Sequence, residues 1–307
     1  MKTLVTGGSG FIGSNLVKAL LEKGDEVVVI DNLSSGYKSN LLKLNKIEFI
    51  EGDIRDIALL EKIMLGVEMI YHLAASVGNK RSIADPFLDA DINVKGTLCL
   101  LETARKFYVR KVIITSSAGI FGELKELPIK ENHPIEPKSP YACSKLYTEK
   151  VSLAYADLYG IEAVCLRYFN VYGPNQYFDA YGNVIPIFVF KMLKNESIHI
   201  FGDGEQTRDF VNVRDVVQAN IKSAMKTGIS GAYNIASGTK ISINHLVQLL
   251  KDITGLNPVI EYKKLRPGDV RDSLADISAA KITFDYLPAV DLRQGLEEYL
   301  QWAEGAM

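Results

Sequence analysis

The chain has 307 residues, 47% of them hydrophobic, and a formal net charge of −2. This is length enough for two domains or one large α/β unit, with the apolar content to build a core. The near-neutral balance exerts no strong pull toward nucleic acid or an anionic membrane surface, and no apolar run reaches the ~18 residues that a membrane span needs.

The strand candidates, in chain order, are TLVT (3–6), EVVVI (26–30), IEFIE (47–51), MIYHLA (69–74), KVIITSS (111–117), EAVCLR (162–167) and AYNIA (232–236). Helix-like stretches lie between them, at 11–23, 56–64, 87–107, 141–159 and 213–226. Apolar strands separated by amphipathic helices predict βαβ units and a parallel sheet covered on both faces, with ligands at the carboxyl ends of its strands. After residue 168 the texture changes to Tyr-, Asn-, Gly- and Pro-rich sequence, YFNVYGPNQYFDAYGNVIP, of the kind that serves function inside a compact fold. The segment 238–307 carries further helix patterns at 243–254 and 291–303 and reads as a smaller lobe. The opening MKTLVTGG turns glycine-rich where a signal peptide stays apolar, and reads as a buried first strand.

Three cysteines, Cys99, Cys143 and Cys165, form no CxxC and provide no disulfide framework, which points to a reducing, cytoplasmic setting. The four histidines (His72, His133, His199 and His245) show no ligand spacing, so no metal is expected.

The motif TGGSGFIG (6–13) follows the first strand and opens the first helix. Glycines there allow a tight turn and close approach of the backbone to a pyrophosphate at the helix N-terminus. Asp31 ends the second strand, where a carboxylate binds a ribose 2′-hydroxyl and repels a 2′-phosphate, so NAD is expected rather than NADP. The plain alternative is a strand–helix turn with an unrelated acid. No GxxxxGK[ST] loop is present, so nucleotide hydrolysis has no support.

In SPYACSK (139–145), Ser139 suits an N-cap and Pro140 the first helical position, which puts Tyr141 and Lys145 one turn apart on one face. An ammonium beside a phenol lowers the phenol's pKa, and such a phenol can move a proton to and from a sugar hydroxyl. Taken alone, this spacing is usually mere helix surface. Ser116 and Ser117 end a strand at the ligand-facing edge, where a hydroxyl can bind substrate or simply cap the turn.

With DNLSSG (31–36), GDIRD (52–56), HLAA (72–75), INVKGT (92–97), LRYFNVYGP (166–174), IFGDGEQTRDFVNVRDV (200–216) and RPGDVRDSLADIS (266–278), the chain resembles the extended short-chain dehydrogenase/reductases over essentially its whole length. Its closest likeness is to the UDP-glucose/UDP-N-acetylglucosamine 4-epimerase branch. The resemblance implies an α/β fold, a Rossmann doubly wound parallel sheet with a smaller mixed α/β substrate-binding lobe. Residues 1–168 with about 209–237 would bind NAD, and about 169–208 with 238–307 the nucleotide sugar. Ser117, Tyr141 and Lys145 match the family's catalytic residues. For NAD, Gly7, Gly10, Phe11 and Ile12 match the loop, Asp31, Asn32, Ser35 and Gly36 the adenosine ribose contacts, and Asp53 and Ile54 the adenine contacts. Leu73, Ala74 and Ala75 match the pyrophosphate and nicotinamide-ribose contacts, Asn93 a further cofactor position, and Tyr168 a position near the nicotinamide. For the substrate, Asn170, Asn183, Val184, His199, Phe201, Arg208 and Arg266 match the residues that hold a nucleotide diphosphate, and arginine forks suit phosphate. The plain alternative for Arg208 and Arg266 is an ion pair with Asp209 or Asp269. A homodimer through 87–107 and 141–159 is implied as well.

The family's 4,6-dehydratases follow the catalytic hydroxyl with an acidic pair, whereas Ala118 and Gly119 stand here. The implied reaction is C4 epimerisation of a UDP-hexose: Tyr141 takes the C4 hydroxyl proton, the hydride passes to NAD, and it returns to the other face of a 4-keto sugar. Counting from Arg266, the position that gates room for a 2-acetamido group is Ser273; a small residue there implies UDP-GlcNAc and UDP-GalNAc as substrates besides UDP-glucose and UDP-galactose. Two departures, Phe121 in place of a tyrosine and the loop SVGNKRS (76–82), bear on the sugar. The alternatives are an epimerase or reductase of another nucleotide sugar, such as UDP-glucuronate or a dTDP-sugar, and a non-catalytic NAD-binding regulator.

Overall fold

The alternation read from the sequence becomes a parallel sheet with its crossovers on both faces. The structure is a computed structural model that describes residues 1–179, 182–265 and 270–307. It opens with β1 (Lys2–Thr6), α1 (Phe11–Glu22), β2 (Glu26–Asp31), β3 (Ile47–Glu51), α2 (Ile57–Ile63) and β4 (Met69–His72). Two short helices, α3 (Asn79–Ala84) and α4 (Pro86–Ala90), lead through a π-type turn at Asp91–Lys95 into α5 (Gly96–Lys106). β5 (Lys111–Ser117), α6 (Pro140–Tyr159) and β6 (Glu162–Tyr168) follow. Next come β7 (Asn170–Tyr172), α7 (Val184–Leu193), β8 (Ile198–Phe201), β9 (Thr207–Arg208) and β10 (Phe210–Asn212). The remainder is α8 (Val213–Met225), β11 (Gly231–Ile235), β12 (Ile241–Ser242), α9 (Ile243–Thr254), β13 (Ile260–Lys263), α10 (Ser278–Phe284) and α11 (Leu292–Gly305).

Seven strands form one parallel sheet in the order β11-β6-β5-β4-β1-β2-β3. All seven coincide with the strands expected from sequence, although β4 ends at His72 and leaves Leu73 and Ala74 to the loop. The order reverses between β1 and β4, so the crevice for a ligand opens at their carboxyl ends. Alternate residues of each strand enter opposite cores. Val5, Val27, Val29 and Tyr71 pack with Leu16 and Leu20 of α1 and Val216 of α8. Leu4, Val28, Ile30 and Ile70 pack with Leu60 of α2 and Leu100 and Leu101 of α5. Each such side chain, fully buried, contributes about 1.5–3 kcal/mol.

The helix expected over 87–107 is broken. The Asn93 carbonyl accepts hydrogen bonds from the Thr97 and Thr148 hydroxyls, which opens the regular ladder into the π-type turn. A third core joins Ile185, Phe188 and Val189 of α7, Ile198 and Ile200 of β8, Leu246 of α9 and Leu296 and Tyr299 of α11. Among the described residues no helix is long and apolar enough to cross a membrane.

The first turn depends on glycine for space. A Cβ on Gly13 would lie 2.1 Å from the Gly7 carbonyl oxygen, whereas Gly24, at φ +89°, has open space around it. Gly24→Ala therefore incurs only left-handed strain, about 1–2 kcal/mol. Gly13→Ala is expected to lower the urea midpoint by clearly more and to weaken NAD binding as well, which Gly24→Ala leaves unchanged.

Candidate active site

The site assembles where the carboxyl ends of β1, β2, β4 and β5 meet the start of α6. At β1, Gly7 turns at φ +70°, and a Cβ there would lie 2.6 Å from the Ala74 nitrogen, so the glycine turn and the loop after β4 are in backbone contact. Gly10 precedes α1 with no side-chain cap, which leaves the amides of Phe11 and Ile12 to face an anion at the positive helix end. Asp31 is buried at the end of β2; Oδ2 accepts from Ser9 N at 2.9 Å and Oδ1 from Leu33 N at 2.9 Å. Gly36 closes on the same turn, since its Cβ would lie 2.9 Å from the Ser9 carbonyl carbon. Ser35 is exposed in that loop. Asn32 Nδ2 donates to Asp53 Oδ2 at 2.9 Å, and Arg55 holds the Asp53 carboxyl far below the usual range. Ile54, next to Asp53, is buried. A glycine-walled turn, an uncapped helix start and a buried acid at the end of β2 together fit a dinucleotide, with its pyrophosphate on α1 and a ribose at Asp31.

The loop after β4 is fixed from below. Ala74 N donates to Thr6 Oγ1 at 3.1 Å, and Thr6 Oγ1 is 2.8 Å from His72 Nδ1. Ser76 N donates to Asn93 Oδ1 at 2.8 Å. Asn93 itself is buried, and its Nδ2 donates to Ser76 O and to Ser144 Oγ, each at 3.0 Å. Asn93 therefore ties this loop to α6 with its side chain rather than presenting it to a cofactor. Leu73 and Ala75 are partly exposed along that edge. Tyr168 also differs from expectation: its ring lies in the core and its hydroxyl accepts from Asn220 Nδ2 at 2.7 Å, so only its backbone, paired with Ser117, faces the edge.

Helix α6 is capped as its sequence predicts: Ala142 N donates to Ser139 Oγ at 3.1 Å, and Pro140 starts the first turn. Ser139 Oγ donates in turn to Asn79 Oδ1 at 2.8 Å, a contact that sequence reading missed because α3 had no recognisable period. Tyr141 is partly buried, and the Ser117 hydroxyl lies near enough to its phenol to favour the ionised form. Gly119 N donates to Ser117 Oγ at 3.1 Å, which leaves the Ser117 proton free to donate to the phenol oxygen. Lys145 is buried and its Nζ donates to Thr115 O at 2.7 Å.

The electrostatics run against the simplest expectation for the Tyr–Lys pair. Burial pushes the Tyr141 phenol up to about 12; the Ser117 hydrogen bond pulls it down, and the Asp89 carboxylate raises it further. Burial also lowers Lys145 to about 8, with Asp89 opposing. The phenol is thus not brought toward neutral pH within the protein alone: burial and the Asp89 carboxylate both raise it, and the Ser117 hydroxyl opposes them.

Ser116 and Ser117 part company. Ser117 meets Tyr141, while Ser116 Oγ turns away and donates to the buried Glu149 Oε2 at 2.9 Å. Phe121 is fully buried, edge-on to His133 with centroids 5.5 Å apart, and so does not face a sugar.

The residues expected to hold substrate lie on the smaller lobe. Asn170 Nδ2 donates to Asp209 O at 3.0 Å, and Arg208 Nη1 donates to Thr207 O at 2.8 Å. Asp209 commits its carboxylate to Ser237 N and Oγ, Gly238 N and Ala275 N. Asn183 directly precedes Val184 at the start of α7, and its Nδ2 donates to Val171 O at 3.4 Å. His199 and Phe201 lie on β8, with His199 Nε2 3.5 Å from Glu261 Oε2. Ser273 is buried beside Asp272, which accepts from the Thr207 hydroxyl at 2.6 Å. Arg266 and Asp269 lie outside the described residues.

Residues 3–236 match the NAD dependent epimerase/dehydratase family. The chain belongs to that family. It is 38% identical to a UDP-glucose 4-epimerase from Mycolicibacterium smegmatis, over 98% of each chain. It superposes on UDP-glucose 4-epimerase from Thermotoga maritima, solved with UDP-glucose, at a TM-score of 0.94 and 41% identity, covering 100% of this chain and 99% of that one. It superposes equally on UDP-N-acetylglucosamine 4-epimerase from Methanobrevibacter ruminantium, solved with UDP-N-acetylmuramic acid, at a TM-score of 0.95 and 38% identity over the same shares. As an epimerase/dehydratase family member the protein is NAD-dependent, and the glycine turn with Asp31 is where its residues fit that cofactor.

His72 is fully desolvated between Thr6 and Thr97 and is lowered to about 3 by burial and by Lys145. Between that value and the ordinary 6.5, the unfolded chain binds a proton that the folded chain refuses. Stability is therefore whole above about pH 6.5 and falls as pH drops through the window, by up to about 1.4 kcal/mol per pH unit. The urea midpoint of His72→Gln is expected to decline less steeply between pH 6.5 and 4.5 than that of the parent; equal slopes would show that His72 plays no part.

Proposed function

We propose that the protein is a UDP-hexose 4-epimerase, acting on UDP-GlcNAc and UDP-GalNAc and accepting UDP-glucose and UDP-galactose. The observation that carries this is the meeting of Ser117, Tyr141 and Lys145 at the ligand edge of the sheet, with Ala118 and Gly119 where a dehydratase needs acids. The two superposed 4-epimerases support the reaction class, and the second of them supports the N-acetyl sugar.

Bound NAD supplies a hydride acceptor that can return what it takes. Tyr141 removes the sugar C4 hydroxyl proton and later restores it. Ser117, held by Gly119 N, donates to the oxygen that changes charge. Lys145, anchored on Thr115 O and still mostly protonated at pH 7, would hold the ribose of NAD and keep a positive charge in the site. A phenol raised to about 12 holds its proton at neutral pH until positive charge gathers beside it, so proton removal awaits a loaded site. Residues 1–168 with 209–237 serve NAD in this reading, and 169–208 with 238–307 serve the nucleotide sugar, where Asn170, Arg208 and Arg266 take the diphosphate and Ser273 leaves room for a 2-acetamido group. A homodimer through α4, α5 and α6 accords with the exposed Ile83, Phe87 and Leu88 beside α6.

Incubation of the purified protein with UDP-N-acetylglucosamine, and separately with UDP-glucose, is expected to yield the C4 epimer of each, followed by proton NMR. No conversion of either sugar with NAD supplied would remove the UDP-hexose reading. Tyr141→Phe is expected to lower kcat by about 10²–10⁴-fold, the usual share of a positioned acid–base group, with NAD still bound.

A further inference from the structure

Directly behind the site lies a buried ion pair that the proposed chemistry does not use. Glu149 is fully buried and Arg167 is 3% exposed. Arg167 Nη2 donates to Glu149 Oε1 at 2.7 Å, and Nε donates to Oε2 at 3.0 Å, a bidentate fork. The remaining groups are also engaged. Arg167 Nη1 donates to Glu131 O at 2.8 Å, Ser116 Oγ donates to Glu149 Oε2 at 2.9 Å, and the guanidinium lies over the Phe121 ring, 5.1 Å from its centroid. Such a pair is a poor source of net stability, since apolar side chains of equal volume do as well or better in its place. Its presence calls for another role.

Placement identifies that role. Glu149 lies one turn beyond Lys145 and two beyond Tyr141 on α6. Ser116 precedes Ser117 on β5, and Arg167 is paired with Ser116 in the β5–β6 register, next to the Ser117–Tyr168 pair. One cluster therefore grips the three elements that carry or border the site. Apolar interdigitation does this only in part, because the side chains that α6 buries fully are, Ala142 apart, polar (Ser144, Lys145, Thr148, Glu149 and Ser152), while Leu146, Val151, Leu153, Tyr155 and Ala156 reach the cores only partly buried. A planar fork fixes direction as well as distance, so it resists both sliding and rolling of the helix over the strand.

We propose that Glu149, Arg167 and Ser116 form a positioning device that sets α6 over β5 so that Tyr141 and Lys145 meet Ser117; this rests on the catalytic reading of those three residues. The device acts through geometry and touches neither cofactor nor substrate. A displacement of about 1 Å at such a site costs about 10²-fold in rate.

The test compares three variants of the NAD-loaded enzyme on UDP-N-acetylglucosamine, reading kcat, KM and the thermal midpoint. The double variant Glu149→Met with Arg167→Met removes both charges and is expected to keep the parental midpoint, as apolar replacement of a buried pair allows. Its KM is expected to stay within about twofold while kcat falls about tenfold or more. Ser116→Ala, which leaves the ion pair intact, is expected to show the same split to a smaller degree at an unchanged midpoint. A folded double variant that turns over at the parental rate overturns the proposal; should the double variant fail to fold, Ser116→Ala with parental kcat does so. Tyr141→Phe at parental rate would instead remove the catalytic reading and leave the packing role of the pair untouched.

Discussion

Parallel strands cannot be joined by tight turns, and most else in this structure follows from that constraint. Every crossover must travel back along a face of the sheet, so every carboxyl end points to the same edge. Seven strands laid down this way, with their order reversing between β1 and β4, leave one crevice where adjacent connections part to opposite faces. The glycine turn, Asp31, the loop after β4 and Ser117 all reach that edge because each terminates a strand. Nothing else in the sequence relates residues so far apart.

The crevice is held by polar contacts as much as by packing. His72 bridges Thr6 of β1 and Thr97 of α5, and Asn93 bridges the loop after β4 and Ser144 of α6. The inner face of α6 completes the set with Lys145 on Thr115 O and Glu149 on Arg167. Each of these groups would cost more unpaired than it gains paired, so the network specifies one arrangement rather than adding much stability. The cost shows in the site itself, where desolvation raises the Tyr141 phenol and lowers the Lys145 ammonium, each toward its neutral form. A site poised in this way favours the Tyr141 phenolate only when a ligand brings positive charge into it.

The smaller lobe works differently. Outside the seven-stranded sheet the strands are short pairs, β7 with β10, β9 with β12 and β8 with β13, and the core beside them is built largely by helices α7, α9 and α11. The buried Asp209 carboxylate organises the junction by accepting from Ser237, Gly238 and Ala275 at once. This fixes the backbone beside Arg208 and Asn170.

All seven strands of the sheet could be read in the sequence, because the inner ones, buried on both faces, are continuous apolar runs and the edge strands β3 and β11 are short apolar-rich stretches; neither needs knowledge of its neighbours. So could the glycine turn, the cap of α6, and the placing of Tyr141 and Lys145 one turn apart on that helix, since each is a local rule of spacing. Helix α7 was not legible: VIPIFVFKML is apolar almost all round, which erases the period. The break in the helix at Asn93 was not legible either, because its cause, the Thr148 hydroxyl, comes from a helix far along the chain. Nor could the sequence separate Ser116 from Ser117, or show that Phe121 and Tyr168 turn inward. By itself the sequence determined which segments form the sheet and which residue types stand at strand ends, because periodicity, turn chemistry and capping act within a few residues. The tertiary structure alone decided which side of a strand end faces the site, which buried charges meet, and what desolvation does to the phenol, because those depend on which distant segment closes over each position.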